Sequence, residues 1–253
     1  MISVIILTKN EEQTIERCLR SVSFADEIII VDDFSTDNTV RLAEAFSVQL
    51  HKRKLNNDYS AQRNYALEKA TGDYVMFLDA DEEVSPELAE EIKKYVGKED
   101  VQGYYLRRRD YFWNQAVTHG EVATVYNRGL LRIVKKGLGT WHGVVHEELT
   151  VTGKTKTLSQ VINHYPHATV SEFLQSINHY STLRAHELKL QGKDAGILSF
   201  TFWPFSKFVY TYFLKRGFKD GAAGFVYSFM MSFHSYLVRA KLYQYNHLES
   251  GSL

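Results

Sequence analysis

Three times in its first hundred residues the chain runs through a short, almost wholly apolar stretch and stops at a polar, mostly acidic cluster. Residues 2–7 lead into Thr8-Lys9-Asn10-Glu11, residues 27–31 into Asp32-Asp33-Phe34-Ser35-Thr36-Asp37, and residues 74–78 into Asp79-Ala80-Asp81-Glu82-Glu83. A strand that is apolar along its whole length is buried on both faces, the condition of a parallel sheet covered by helices. Between the runs lie helical patterns. Ile15, Leu19 and Val22 form one stripe, with Asn10 and Gln13 as a capping box. A second helix starts at Thr36 or Asp37, a third covers 60–70 with Gly72 as its stop, and a fourth is capped by Ser85 with Pro86 at its first position. Residues 48–50 add a short strand. This order predicts an α/β fold: a Rossmann-like, doubly wound, mostly parallel sheet with right-handed crossovers. Beyond Gln102 shorter strands are expected at 103–109, 122–126, 130–135 and 148–152, then a long helix over 169–191.

In an open parallel sheet ligands bind beyond the carboxyl ends of the strands, so the three polar clusters should converge on one crevice. Two carboxylates two residues apart after a buried strand, Asp79 and Asp81, suit a hard cation, Mg²⁺ or Mn²⁺, completed by substrate phosphates. There is no Gly-x-Gly-x-x-Gly after the first strand and no Gly-Lys-Ser/Thr loop, which argues against a dinucleotide dehydrogenase and a P-loop enzyme. The single cysteine, Cys18, excludes a disulfide framework and a cysteine-based metal site. No secretory leader is readable at the N-terminus, so a cytoplasmic setting is expected.

The net charge of zero conceals a polarity. Residues 1–100 carry 12 Lys+Arg against 21 Asp+Glu, and residues 101–253 carry 18 against 9, so an acidic surface precedes a basic one. The stretch 199–245 holds 16 of the 34 aromatic residues, six Lys and Arg, and one acid, Asp220. Aromatic and basic residues together fit helices lying in a membrane interface. A hairpin packed on the domain or on a second copy, as a homodimer through these helices, is the alternative. Residues 221–238 are about as long as the shortest membrane span, but their glycines, serines and His234 argue against one.

The motifs SVIILTKNEE, IIIVDDFSTDNTV and SAQRNYALEKATGDYVMFLDADEEV, in that order, resemble the family 2 glycosyltransferases, inverting enzymes with a GT-A fold. GVVHEEL and VINHYPH, followed by a long helix and the aromatic tail, are similar to a narrower branch, the bacterial lipopolysaccharide-core β-glucosyltransferases. The resemblance implies three segments: a nucleotide-sugar-binding half over 1–100, an acceptor-binding half over 101–195, and a helical extension over 196–253. It also implies roles. Thr8, Asn10 and Glu11 match the first nucleotide-contacting motif. Asp33, with Asp32 beside it, matches the acid that accepts from the uracil ring. Arg63 matches a base- or diphosphate-binding position, Asp79 the ribose position and Asp81 the metal ligand. The Glu-Asp or Asp-Asp pair in which many members carry the general base is missing here. Glu147 takes that role in this reading, with Glu148 and His146 as alternatives and His146 otherwise orienting the base or contacting phosphate. Arg107 and Arg109 share a strand face and could hold an acceptor phosphate. The implied activity is transfer of a sugar, glucose by the narrower likeness, from a UDP-sugar to a membrane-associated glycolipid at the cytoplasmic face of the inner membrane. Another polysaccharide, a lipid carrier or a protein is the alternative acceptor, and a non-catalytic nucleotide-sugar-binding module the alternative function. Nucleic acid is not an expected partner.

Overall fold

A computed structural model describes residues 1–143, 147–167 and 169–248. The elements begin β1 Ile2–Thr8, α1 Ile15–Ser21, β2 Glu27–Asp32, α2 Thr39–Ala43, β3 Gln49–Lys52, α3 Tyr59–Lys69, β4 Tyr74–Asp79, β5 Glu82–Val84 and α4 Pro86–Tyr95. They continue with β6 Gly103–Phe112, β7 Gln115–Val117, α5 Ala123–Arg128, β8 Leu130–Lys135, β9 Gly139–His142, β10 Glu148–Val151 and β11 Thr155–His167. Three long helices follow: α6 Val170–Leu190, α7 Ser199–Phe208 and α8 Gly221–Tyr243.

One sheet has the order β3-β2-β1-β4-β8-β6-β11-β5, with β7 on β6, and β9 and β10 form a separate antiparallel ribbon. The first four strands are parallel, as the apolar runs predict; β8 pairs antiparallel with β4 and β6, as do β7 with β6 and β11 with β5. The register decides where the polar clusters go. Leu7 lies beside Val31 on one side and Asp79 on the other, and Thr8 beside Asp32, so the carboxyl ends of β1, β2 and β4 stand together. Side chains alternate across the sheet. Val4, Ile6, Ile30 and Met76 pack with Cys18, Leu19, Leu88 and Ile92 on one face. Ile5, Ile29, Val75 and Phe77 pack with Ala66 and Trp141 on the other.

Several local expectations are corrected. Asn10 does not cap α1: it takes φ 56°, its side chain accepts from Thr36 N–H at 2.8 Å, and the helix begins after Thr14. The second helix starts at Thr39, later than Thr36 or Asp37, because Asp37 Oδ1 accepts from Thr39 N–H at 3.0 Å and orders the turn before it. Gly72 is not a helix stop; a Cβ there would lie 2.7 Å from Ser3 Oγ, so the position demands glycine for packing. Residues 122–126, read as a strand, enter α5, a short surface helix with no buried residue. β11 is not among the expected strands: only Leu158 and Ile162 of its thirteen residues are buried, which leaves little pattern to read.

The chain divides into two compact units, one of residues 1–109 and 125–164, the other of 110–124 and 165–253. The first holds the parallel strands and α1 to α4. The second is mainly helical, with a core of Phe112, Val117, Val122, Phe173, Ile177, Ala223 and Met230. Within it Lys241 Nζ, on α8, donates to four oxygens of α6 on Asn178, Ser181 and Thr182, at 2.7–2.8 Å. Among the described residues no helix is long and apolar enough to cross a membrane.

Candidate active site

The loops after β1 and β2 are tied to each other. Asp32 is fully buried and accepts from the backbone N–H and hydroxyl of Ser35, so its carboxylate shapes the turn that follows β2. Ser35 Oγ in turn accepts from Asn10 N–H at 2.9 Å. Asp33 accepts from Lys9 Nζ at 2.6 Å and from Leu55 N–H at 3.0 Å. Burial raises the Asp33 pKa, but the Lys9 ammonium and the Leu55 N–H outweigh it and hold the carboxyl below its ordinary range. Thr8 Oγ1 is buried and has no hydrogen-bond partner among the described residues. Glu11 is pushed up to about 7, first by burial, with a Thr14 hydroxyl bond opposing and the negative charges of Asp81, Asp37 and Asp79 reinforcing.

At the end of β4 the geometry is dominated by arginines. Asp79 accepts from Arg63 Nη2 at 2.8 Å through one oxygen and from Arg132 Nη2 at 2.9 Å through the other. Burial raises the Asp79 pKa, and the two guanidiniums overcome it and hold the group ionised well below the usual carboxylate range. Arg132 also donates to Glu82 at 2.9 Å, and Glu82, fully buried, accepts from Asp79 N–H at 3.0 Å. Arg63 donates its other terminal nitrogen to Glu147. Its guanidinium lies 4.5 Å from the Trp141 ring centroid, a stacked, desolvated setting that favours arginine over lysine. Asn64 fixes the backbone of Trp141: its side-chain amide donates to the Trp141 carbonyl at 2.9 Å and accepts from the Trp141 backbone N–H at 3.0 Å. Arg63 thus joins Asp79, at a strand end, to Glu147, at the entry to β10.

Asp81 stands 3.3 Å from His164 Nε2 and is partly exposed. Among the described residues no three His, Cys, Asp or Glu side chains are grouped closely enough to hold an ion by themselves. Asp79 has both oxygens on arginines. What remains is one carboxylate and one imidazole, a donor pair that fits a divalent cation shared with a diphosphate and water, and does not fit a cation held by protein alone.

Among the expected site residues, Thr8 and Asp32 end β1 and β2, Asn10, Glu11 and Asp33 lie in the loops that follow them, and Arg63, Asp79, Asp81 and Glu147 stand around the end of β4. His146 lies outside the described residues. Arg107 and Arg109 alternate with Arg108 on β6. Arg107 Nε is buried with no hydrogen-bond partner among the described residues, whereas Arg108 stands 3.6 Å from Glu82 on the other side of the strand. Arg132, Glu82, Asn64 and Trp141 were not singled out from the sequence. An arginine inside the apolar run Leu130-Leu131-Arg132-Ile133-Val134 was the readable signal for the first, since a buried cation demands carboxylate partners.

A family profile described as "Glycosyl transferase family 2" matches residues 3–146, more than half of the chain. The chain belongs to this family. It is therefore a glycosyltransferase, and the match takes in every site residue up to Arg132, leaving Glu147 and His164 just beyond it. An uncharacterized glycosyltransferase of Rickettsia prowazekii is 31% identical over 95% of this chain and 86% of its own length. A protein of Rhizobium meliloti named lipopolysaccharide core biosynthesis glycosyltransferase LpsC is 26% identical over 98% of this chain and 94% of its own. Among solved structures, Staphylococcus aureus TarS 1–349 in complex with UDP-GlcNAc aligns with a TM-score of 0.52 at 14% identity, covering 96% of this chain and 91% of that one. That likeness establishes the fold, which is GT-A.

Proposed function

We propose that this family 2 glycosyltransferase moves a hexosyl group, glucose in the favoured case, from a UDP-sugar to a hydroxyl of a membrane-associated glycolipid of the lipopolysaccharide-core kind. It would invert the anomeric carbon and work with Mg²⁺ or Mn²⁺ at the cytoplasmic face of the inner membrane. The observation that carries this reading is the double engagement of Arg63. One guanidinium holds Asp79, at the strand ends where such sheets bind nucleotides, and Glu147, the candidate base. The name of the Rhizobium relative supports the acceptor class, and the ligand in the TarS structure illustrates that the fold accommodates a UDP-sugar.

In this mechanism Asp33 accepts from the uracil imide, releasing Lys9, and Asp79 faces the ribose. Arg63, already aimed into the site, turns toward the diphosphate. Asp81 and His164 would hold the cation, which supplies charge neutralisation for the departing diphosphate. Glu147 takes the proton of the acceptor hydroxyl as its oxygen bonds to C1, and the C1–O bond to the diphosphate breaks, leaving UDP. The aromatic, basic helices of the second unit would keep the enzyme at the membrane that carries the acceptor. The test is an assay of UDP release and product anomer with UDP-glucose and a truncated core acceptor. The reading expects a β-glycoside, abolished in Glu147→Gln and Asp81→Asn. An α-product, or undiminished turnover in Glu147→Gln, contradicts it.

A further inference from the structure

The helical hairpin of the second unit carries a feature that sugar transfer does not use. Residues 209–214 continue α7 in wider π-helical turns, and the chain then reverses through residues 215–220 into α8. At this tip Phe213, Leu214 and Phe218 are 55%, 71% and 48% exposed. The turn that presents them is built. Gly120 N–H donates to Lys215 O at 2.9 Å, and Arg216 takes the left-handed φ of 58°. Gly224 sits so close that a Cβ would lie 2.1 Å from Gly217 O. Tyr212 braces the aromatics edge-on, 5.0 Å from Phe213 and 6.3 Å from Phe218 between ring centroids.

The charges at the tip have one sign. Asp220 is the sole acid between residues 195 and 248, and it is buried: it accepts from Thr118 N–H at 3.0 Å and His119 N–H at 2.7 Å, with His119 Nδ1 at 2.8 Å. The side chains of Arg216 and Lys219 are exposed and make no hydrogen bond or ion pair among the described residues. Large apolar side chains held in solvent by a fixed turn mark a contact surface, and two occupants come into question. A second copy joined through this tip about a two-fold axis would set Arg216 and Lys219 against their own equivalents, which is repulsive. A layer of phosphates with acyl chains beneath satisfies both the cations and the rings.

We propose that the α7–α8 tip enters the headgroup layer of a membrane rich in anionic phospholipid, with Phe213, Leu214 and Phe218 among the upper acyl carbons and Lys215, Arg216 and Lys219 at the phosphates. The purpose of this contact rests on the reading that the acceptor is membrane-bound, but its test needs no substrate. The whole chain is co-sedimented with vesicles of phosphatidylcholine alone, or of phosphatidylcholine and phosphatidylglycerol in equal parts. Binding is expected to the mixed vesicles only, and to weaken with added salt. Phe213→Glu with Phe218→Glu should lower it more than tenfold. Arg216→Gln and Lys219→Gln should each lower it about five-fold. Leu190→Glu, an equally exposed position at the end of α6, should leave it unchanged. Equal binding to both vesicles, no loss in the tip variants, or a dimer that the Phe213/Phe218 variant dissociates would each overturn the proposal. Melting temperatures confirm that the variants remain folded. Release of UDP from UDP-glucose in vesicle-free solution is read alongside. Its absence in the unaltered protein would count against the transferase reading and leave the docking surface standing.

Discussion

In the first unit the guanidiniums around the end of β4 are committed: Arg63 to Asp79 and Glu147, Arg132 to Asp79 and Glu82, with Arg108 close to Glu82. In the second, Arg216 and Lys219 stand in solvent beside uncovered aromatic rings. The difference follows from burial. An ion taken out of water needs a partner within the chain, whereas a cation on the surface can wait for one from outside. The first unit is therefore organised before substrate arrives, with carboxylates and arginines held in fixed directions at the strand ends. The surface of the second is completed by what it meets.

The sharpest way to break this comparison is to remove the candidate base. Glu147→Gln is expected to lower transfer about 100-fold or more while leaving vesicle binding unchanged, as measured by UDP release and co-sedimentation on the same preparation. A loss of vesicle binding would show that the two units do not have separate roles.

Stability offers the next contrast. Arg132→Met leaves Glu82 buried without its strongest partner and should cost about 3–5 kcal/mol in urea unfolding. Arg216→Met in the second unit should stay within about 0.5 kcal/mol. Similar values at the two positions would contradict the assignment of buried and exposed charge.

A smaller effect concerns pH. The Glu11 carboxyl, pushed up to about 7 by burial and by the charges of its acidic neighbours, binds its proton more tightly in the folded than in the unfolded chain. Its protonated form is thus favoured by folding, and its contribution to stability falls as pH rises from about 4.5 to about 7. Melting temperatures across that window should decline less in Glu11→Gln than in the unaltered protein. The smallest effect is expected at Lys219→Gln, which should leave the melting temperature unchanged and alter only binding to phosphatidylglycerol vesicles.

The parallel half of the sheet was legible because its three long strands are almost wholly apolar and alternate with clearly helical segments, and in-register pairing then brings their polar ends together without further information. The antiparallel half was not. β5 and β7 have three residues each, β11 shows only two buried side chains, and residues 122–126 carry strand-like composition into a surface helix. At the site the residue types were readable, and their pairing was not. Asp79 and Asp81 look alike in sequence, yet one is locked between two arginines and the other meets His164. Arg63 lies on the side of α3 that faces the sheet, so its partners are Asp79 and Glu147. Such choices depend on contacts between residues 16 to 84 positions apart, which no local pattern encodes.

The central claim is that the ends of β1, β2 and β4 bind a nucleoside diphosphate sugar together with a cation. Its most direct test is the melting temperature of the protein titrated with UDP-glucose, with and without Mn²⁺. At a ligand concentration near a hundred times the dissociation constant the account predicts a rise of roughly 5–10 °C, dependent on Mn²⁺ and strongly reduced in Asp81→Asn. No rise with the cation present, or an equal rise in Asp81→Asn, would contradict it.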